Sequence, residues 1–266
     1  MRGSVPGVDR ALAAWQARPD IARPLILLDF DGTLAEFNTN PAAVRLPESR
    51  HRLLQLLGAR PDMSAGIVSG RRIPDLRARS CAGPGFYYAG LHGLEVEGPG
   101  LRFMHNAASV AAPTIGVLAS ELIDATRGLS GVVIEDKGLS VVLHVRGASR
   151  QDHLHAITRF KALAEPHLTS GLLRVQPGDQ MIELLPNIDW TKGDAVRCIM
   201  RHVEAQHRQV VWPVYVGDDA TDEDAFEEVR ESGLTIAVSN RTAGASFRVP
   251  DPAAVEQLLS LMLATD

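Results

Sequence analysis

Pro24-Leu25-Ile26-Leu27-Leu28-Asp29-Phe30-Asp31-Gly32-Thr33-Leu34 is the stretch that decides how the rest of the chain is read. It opens as an uninterrupted apolar run between a proline and an Asp-Gly turn, the pattern of a short strand buried on both faces. Two aspartates at i and i+2 follow, where a parallel strand would pass into a loop. Ligands of open α/β sheets bind at that carboxyl edge. Two carboxylates there repel each other, and their desolvation is costly unless something positive lies between them. A divalent cation meets that need, because hard cations take oxygen ligands. Taken alone, the same residues also read as an acidic strand end with an ordinary Asp-Gly turn.

The 266 residues suit one large domain or two moderate ones. Apolar residues at 45% and charged ones at 22% are enough for a full core. A formal charge of −5 and 5% aromatic residues argue against a nucleic-acid partner. The two cysteines, Cys81 and Cys198, are too few for a disulfide framework. They read as small core residues of a protein in a reducing cytosol. No apolar run approaches the ~18 residues of a membrane span. Met1 to Arg23 lacks a signal-peptide apolar region and reads as a loosely attached leader, with a short helix over Val8 to Ala17. A cytoplasmic protein with no membrane partner is the expectation.

Beyond the opening stretch, Asn40-Pro41 starts a loop and Pro47-Glu48 starts a helix whose Leu53, Leu54, Leu56 and Leu57 form an apolar face. Met63 to Val68 and Tyr87 to Gly90 are further buried strands, separated by a helix from Ile73 to Arg79. This alternation predicts a parallel, doubly wound sheet. Near Asn106 the pattern changes to helix, hairpin, helix, hairpin. The helices are Thr114 to Arg127 and Arg150 to Leu168, the latter carrying Leu154, Ile157, Phe160 and Leu163/Ala164 inward. The hairpins run 131–146 and 172–185. The first pattern resumes at Pro186, with helices from Thr191, Asp222 and Pro252 and strands at Pro213 to Val216 and Leu234 to Val238. The predicted organisation is a leader (1–23), an α/β parallel-sheet core (24–105 and 186–266) and an inserted α+β cap (106–185).

Four polar signals fall at the expected carboxyl edges or helix starts of the core: Asp29/Asp31, Ser69, Lys192 and Asp218/Asp219. Singly, Ser69-Gly70 is a turn and Lys192 a solvated helix-start residue, while Asp222 and Glu223 complement a helix amino terminus. Asp218 and Asp219 are harder to dismiss, since they follow directly on a buried strand. In order and context the four signals resemble the motifs of the haloacid-dehalogenase-like phosphohydrolases, which have a Rossmann-like core. That resemblance implies Mg²⁺-dependent cleavage of a phosphate monoester through a covalent intermediate. It makes Asp29 the nucleophile and Asp31 the general acid and base. Ser69 and the Ser69-Gly70 amides become donors to the transferring phosphoryl group, and Lys192 the neutralising cation. Asp29, the Asp31 carbonyl and Asp218 become the metal ligands, with Asp219 and Asp222 as further ligands or their supports.

In the first cap hairpin a turn at Gly138-Leu139 pairs Lys137 with Ser140, Glu135 with Val142 and Val133 with His144. Directly opposed residues share a face. Glu135, Lys137, His144 and Arg146 therefore fall on one face, with Val132, Ile134, Val141, Leu143 and Val145 on the other. Glu183 is expected to be exposed on the side away from Ile182 and Leu184. A charged sheet face is often simply solvated, but this mixture of donors and acceptors also suits an uncharged polyol. A cap closing over the core would bring that face above Asp29 and exclude water.

Ser69-Gly70-Arg71, Gly90-Leu91-His92-Gly93-Leu94-Glu95, Glu135-Asp136-Lys137, His144-Val145-Arg146, Glu183-Leu184-Leu185-Pro186 and Gly217-Asp218-Asp219-Ala220-Thr221-Asp222 together resemble the trehalose-6-phosphate phosphatase family. The middle of Glu183-Leu184-Leu185-Pro186 departs from it in being apolar. The resemblance implies that Glu135, Lys137, Arg146 and Glu183 grip the disaccharide of trehalose 6-phosphate. Gly70, Arg71, His92 and His144 complete the expected substrate set, and a functional link to a trehalose-phosphate synthase is implied. Sucrose 6-phosphate and mannosyl-3-phosphoglycerate are the rival substrates. The extra carboxylate of the latter calls for more cationic cap residues than this balanced set offers. A catalytically silent regulatory subunit is the rival from another class, and the intact Asp29, Asp31, Lys192 and Asp218 set speaks against it.

Overall fold

The computed structural model describes residues 7–38 and 43–265. The loop expected at Asn40-Pro41 and the first part of the leader lie outside them. In chain order the elements are α1 (Val8–Gln16), β1 (Arg23–Leu28), α2 (Glu48–Ala59), β2 (Ser64–Val68), α3 (Ile73–Ser80), β3 (Phe86–Gly90), β4 (Glu95–Gly98) and β5 (Leu101–Met104). Next come α4 (Asn106–Thr126), β6 (Val133–Asp136), β7 (Val141–His144), α5 (Arg150–Thr169), β8 (Leu173–Gly178) and β9 (Met181–Pro186). The chain closes with α6 (Lys192–His207), β10 (Val211–Gly217), α7 (Glu223–Val229), β11 (Leu234–Val238), β12 (Phe247–Val249) and α8 (Pro252–Ala264). Two compact units result: Met1–Phe103 with Trp190–Asp266, and Met104–Asp189.

The first unit is built on an eight-stranded sheet in the order β12-β11-β10-β1-β2-β3-β4-β5. It is parallel from β12 to β3, and β4 joins β3 antiparallel. β1 lies centrally and is buried along its whole length. Successive side chains of a strand point to opposite faces. Ile26 and Leu28 accordingly enter a core shared with α1, α2, α3 and α8, while Leu25 and Leu27 enter one shared with α6 and α7. That is why the opening run is apolar throughout and does not alternate. The β4–β5 pair and β12 were not expected, because they are short and carry charged or half-buried residues.

The second unit has the four-stranded antiparallel sheet β6-β7-β9-β8. Its first hairpin has the expected register, with Val133 opposite His144 and Glu135 opposite Val142. Glu183 on β9 lies opposite Val142 from the other side. One face of this sheet packs against α4 and α5 through Val141, Leu143, Ile115, Leu118 and Phe160.

Several expectations are corrected by packing. The leader is not loose: Val8, Ala11 and Trp15 of α1 are buried, and the Trp15 ring packs tilted against Trp212 with centroids 5.9 Å apart. Leu56 and Leu154 are exposed, since each falls on the solvent side of a helix whose inner face is already filled. Cys81 is also exposed, in a left-handed turn after α3. α4 begins at Asn106, eight residues before Thr114, because its alanine-rich first turns continue through Pro113. Among the described residues α4 is long and apolar enough to match a membrane span, with a mean hydropathy of 1.3 over eighteen residues. It is not an uninterrupted apolar run, since Ser109, Thr114, Ser120, Glu121 and Asp124 fall within it. Its Ala111, Ile115, Leu118 and Leu122 form part of the second unit's core.

Because Trp15 is fully buried on the first core, Trp15→Ala is expected to cost about 3–5 kcal/mol of stability. Urea unfolding checks this; a change below about 1 kcal/mol would restore the loose-leader reading.

Candidate active site

β1, β2 and β10 run parallel and side by side, so their carboxyl ends deliver Asp29, Ser69 and Asp218 to one edge. α6 adds Lys192 at its first turn. A capping box fixes that start, with Thr191 accepting from the Gly193 amide and Asp194 accepting from the Thr191 amide. Lys192 Nζ donates to Asp29 Oδ1 at 2.8 Å and to Asp222 Oδ1 at 2.8 Å. All three side chains are buried: Lys192 is 3% exposed, Asp29 4% and Asp222 0%.

Asp222 is fully engaged. Its Oδ1 also accepts from the Tyr215 hydroxyl at 2.7 Å. Its Oδ2 accepts from the amides of Asp218 at 2.9 Å and Asp219 at 3.1 Å. Together with the Lys192 bond these four interactions use the acceptor capacity of a carboxylate. One oxygen of each of Asp29, Asp218 and Asp222 lies within 4.8 Å of the others, but Asp222 has no lone pair to give a metal. It acts as a clamp that sets Lys192 and the Asp218-Asp219 backbone. Asp219 is turned to its own helix start, accepting from the Thr221 amide at 2.9 Å and hydroxyl at 2.7 Å.

Asp29 and Asp218 are the pair that suits a hard cation: buried oxygen donors in a cluster of carboxylates whose cationic contacts are Lys192 on Asp29 and the longer one from Arg241 to Asp218. Burial raises the Asp29 carboxyl well above its ordinary value; Lys192 opposes this and the Asp222 and Asp218 charges reinforce it. Burial, with the charges of Asp222 and Asp219, raises Asp218 to about 6. Asp218 is oriented by Thr33 Oγ1 at 3.3 Å and approached by Arg241 Nη1 at 3.4 Å. Gly32 makes this closeness feasible. Its φ is +87°, and a Cβ there would lie 2.3 Å from Asp218 Oδ2.

Asp31 is not among those three clustered carboxylates. Its carboxylate is held bidentately by Arg71, with Nε to Oδ2 at 2.6 Å and Nη2 to Oδ1 at 2.7 Å. Its side chain is therefore committed to Arg71, and any metal role expected of Asp31 falls to its carbonyl. Ser69 is buried, and its Oγ accepts from the Arg71 amide at 3.3 Å, which leaves the hydroxyl proton for another acceptor. The Ser69 carbonyl accepts from the His92 amide at 3.0 Å. Leu91 and His92 are both left-handed, with φ of +51° and +57°. This places the imidazole over Gly70, where a Cβ would lie 2.7 Å from Nε2. Strained non-glycine residues of this kind gather at working sites.

The expected Glu135, Lys137, His144, Arg146 and Glu183 all lie in the second unit. His144 Nε2 pairs with Glu135 Oε2 at 2.9 Å, and Arg146 with Asp179. Glu183 is not exposed as expected. It is 5% exposed and accepts from Ser140 Oγ at 2.6 Å and Lys137 Nζ at 3.3 Å. Packing on both neighbouring strands covers a central position that strand alternation alone marks as outward. Thr33, Tyr215, Asp75 and Arg241 were missed. A hydroxyl inside a buried strand signals a partner for Tyr215, and Thr33 sits within the opening motif; Arg241 has no local signal.

The family model for trehalose-phosphatases matches residues 27–251. The trehalose-phosphate phosphatase of Mycobacterium ulcerans is 35% identical over 249 residues, covering 90% of this chain and 62% of that protein. The one from Mycobacterium tuberculosis H37Rv is 34% identical over 241 residues, covering 88% and 60%. The chain thus spans about three fifths of the length of these curated relatives. Among solved structures, the C-terminal domain of Candida albicans trehalose-6-phosphate phosphatase superposes with a TM-score of 0.75 at 22% identity, covering 99% of each chain. The C-terminal domain of the Candida albicans trehalose synthase regulatory protein does so with 0.67 at 16% identity, covering 98% and 99%. These likenesses give the fold alone, an α/β core on a mainly parallel sheet with a second α+β unit. With the site's geometry and the matched family model, the chain belongs to the trehalose-phosphatase family.

Proposed function

We propose that the chain hydrolyses trehalose 6-phosphate to trehalose and inorganic phosphate, with Mg²⁺, through an aspartyl phosphate. The observation that carries this reading is the buried Asp29–Lys192–Asp222 triad beside Asp218. It presents one carboxylate with an ammonium on Oδ1 and, next to it, a second carboxylate whose cationic contact is the longer one to Arg241 at 3.4 Å. A silent regulatory copy has no use for that costly arrangement.

In the proposed reaction the Asp29 oxygen not held by Lys192 attacks phosphorus. The bond from phosphorus to the sugar oxygen breaks, and that oxygen takes a proton from Asp31. In the second half Asp31, now a carboxylate, takes a proton from water as the water oxygen attacks the aspartyl phosphate. Phosphate leaves and Asp29 is restored. Lys192 and the Ser69 hydroxyl balance charge on the phosphoryl oxygens. A divalent cation held by Asp29, Asp218 and the Asp31 carbonyl would supply Lewis-acid stabilisation there. The Glu135, Lys137, His144, Arg146 and Glu183 face of the second unit, proposed as the specificity cap, would read the sugar. Its opposed charges suit a neutral disaccharide.

Phosphate release from a panel of phosphorylated sugars, with Mg²⁺ or EDTA, tests the reading. Turnover of trehalose 6-phosphate only with Mg²⁺ is expected; preference for sucrose 6-phosphate or mannosyl-3-phosphoglycerate would reassign the substrate. Asp29→Asn is expected to lower kcat by about 10⁴ or more with the fold intact by circular dichroism. Normal turnover would remove Asp29 as nucleophile. Arg146→Ala and Glu183→Gln are expected to cost about tenfold or more in kcat/KM on the disaccharide phosphate and little on a small aryl phosphate. Equal losses on both would sink the sugar-reading role.

The raised Asp218 carboxyl also predicts a pH dependence. Its folded value exceeds the unfolded one, so its stabilising contribution is complete at low pH and is lost as pH rises through about 6. Thermal unfolding in EDTA should therefore show this contribution fading between about pH 4 and pH 7, and the Tm gain from Mg²⁺ should be larger at about pH 7.5 than at about pH 5. A Mg²⁺ gain independent of pH would count against this ligand.

A further inference from the structure

Arg71 was expected to bind substrate, but its guanidinium is occupied within the protein. Nε and Nη2 hold the two oxygens of Asp31, and Nη1 donates to Asp75 Oδ2 at 2.8 Å. Asp75 in turn accepts from Arg79 Nε at 2.7 and 2.8 Å, and Arg79 Nη1 donates to the Val44 carbonyl at 2.6 Å. The Arg71 side chain is 11% exposed, and its guanidinium carbon lies 5.5 Å from the centre of the Phe30 ring. Its backbone is fixed as well, with the carbonyl accepting from the Leu91 amide at 3.0 Å. Asp75 and Arg79 lie four residues apart on α3, and Glu95 Oε1 accepts from the Ile73 amide at 2.9 Å to hold the start of that helix. A chain of charge-assisted bonds thus runs from α3 to the Asp31 carboxylate and ends in a planar fork that fixes both oxygens.

We infer that Arg71 is the positioning residue of Asp31, held in place by Asp75, and not a ligand of the substrate. This rests on the proposed role of Asp31 as the acid that protonates the departing sugar oxygen. A carboxyl that hands over a proton must face the leaving oxygen, and small misplacements in such a site are costly. In the acid form one Asp31 oxygen carries the proton and the other still accepts from Arg71, so the fork sets the plane in which that proton is presented. Asp75, three bonds removed from the reacting atoms, supplies the orientation of the fork.

The distinguishing experiment compares two leaving groups. A sugar alkoxide is a strong base and needs the proton; the phenolate of an activated aryl phosphate is a weak one and does not. Arg71→Ala and Arg71→Lys are expected to lower kcat on trehalose 6-phosphate by about 10²-fold and on the aryl phosphate by about threefold or less, with KM nearly unchanged. Lysine keeps the charge but cannot grip both oxygens, so it should not rescue. Asp75→Asn, which leaves Arg71 in place, should show the same selectivity at about a tenfold loss. It decides the matter if an Arg71 variant does not fold. Equal loss on both substrates, a rise confined to KM, or full activity in Arg71→Lys would each overturn the inference, making Arg71 a phosphate or sugar ligand. Wild-type turnover alone tests the proposed reaction, whereas the ratio between substrates in the variants tests this inference.

Discussion

The structure depends on one buried ammonium. Lys192 lies among carboxylates that no solvent reaches, and moving each such ion out of water costs several kcal/mol even after relaxation. It also sits in the first turn of α6, where the helix dipole disfavours a cation. Its two short bonds, to Asp29 and Asp222, offset these costs, and the charge of Asp219 adds to them. The charges of Asp29 and Asp222 raise the Lys192 ammonium against the pull of burial, so it stays protonated. The carboxylates need Lys192 equally. The site is therefore assembled as a unit, from a strand early in the chain and a helix that starts just after the second unit ends.

Asp222 shows how that unit is fixed. A carboxylate bound to an ammonium, a phenol and two amides cannot turn. It joins the end of β10 to α6 and leaves Asp218, four residues earlier, as the oxygen donor facing Asp29. Rigid dipoles set in place before reaction are the largest resource that an active site of this kind has. Burial of the whole group keeps water from relaxing them.

The parallel sheet and the polar ends of its strands were legible from the sequence because β1 must be apolar on both faces, and few other structures tolerate such a run. The first hairpin of the second unit was legible from its turn, since opposed positions follow once Gly138 and Leu139 are placed. What was not legible depends on contacts distant in sequence. Alternation placed Glu183 outward, but its burial depends on Ser140 and Lys137 across a neighbouring strand. Arg71 and Asp31 are forty residues apart, and nothing local to either announces the fork between them. The leader seemed unattached because, among its described residues, a few spaced side chains carry its docking, chiefly Val8, Ala11 and Trp15 with Leu12 and Ala14 beside them.

The second unit's charged face has a different economy from the site in the first. His144–Glu135 and Arg146–Asp179 are partly exposed pairs, and such pairs contribute about 0–1 kcal/mol. Exchanging either for a sugar hydroxyl costs little, so a polyol could take their place without disturbing the sheet. Glu183 is otherwise: buried and bonded to Ser140 and Lys137, it would be left with a large desolvation penalty if it lost them. On the proposed reading the outer pairs adapt to the ligand while Glu183 and Lys137 remain the fixed reference against which it is measured. Selectivity then follows from geometry more than from net binding energy, since a hydroxyl of wrong orientation leaves a buried carboxylate or ammonium short of a partner. A missing partner at a built polar site discriminates more strongly than a missing apolar contact.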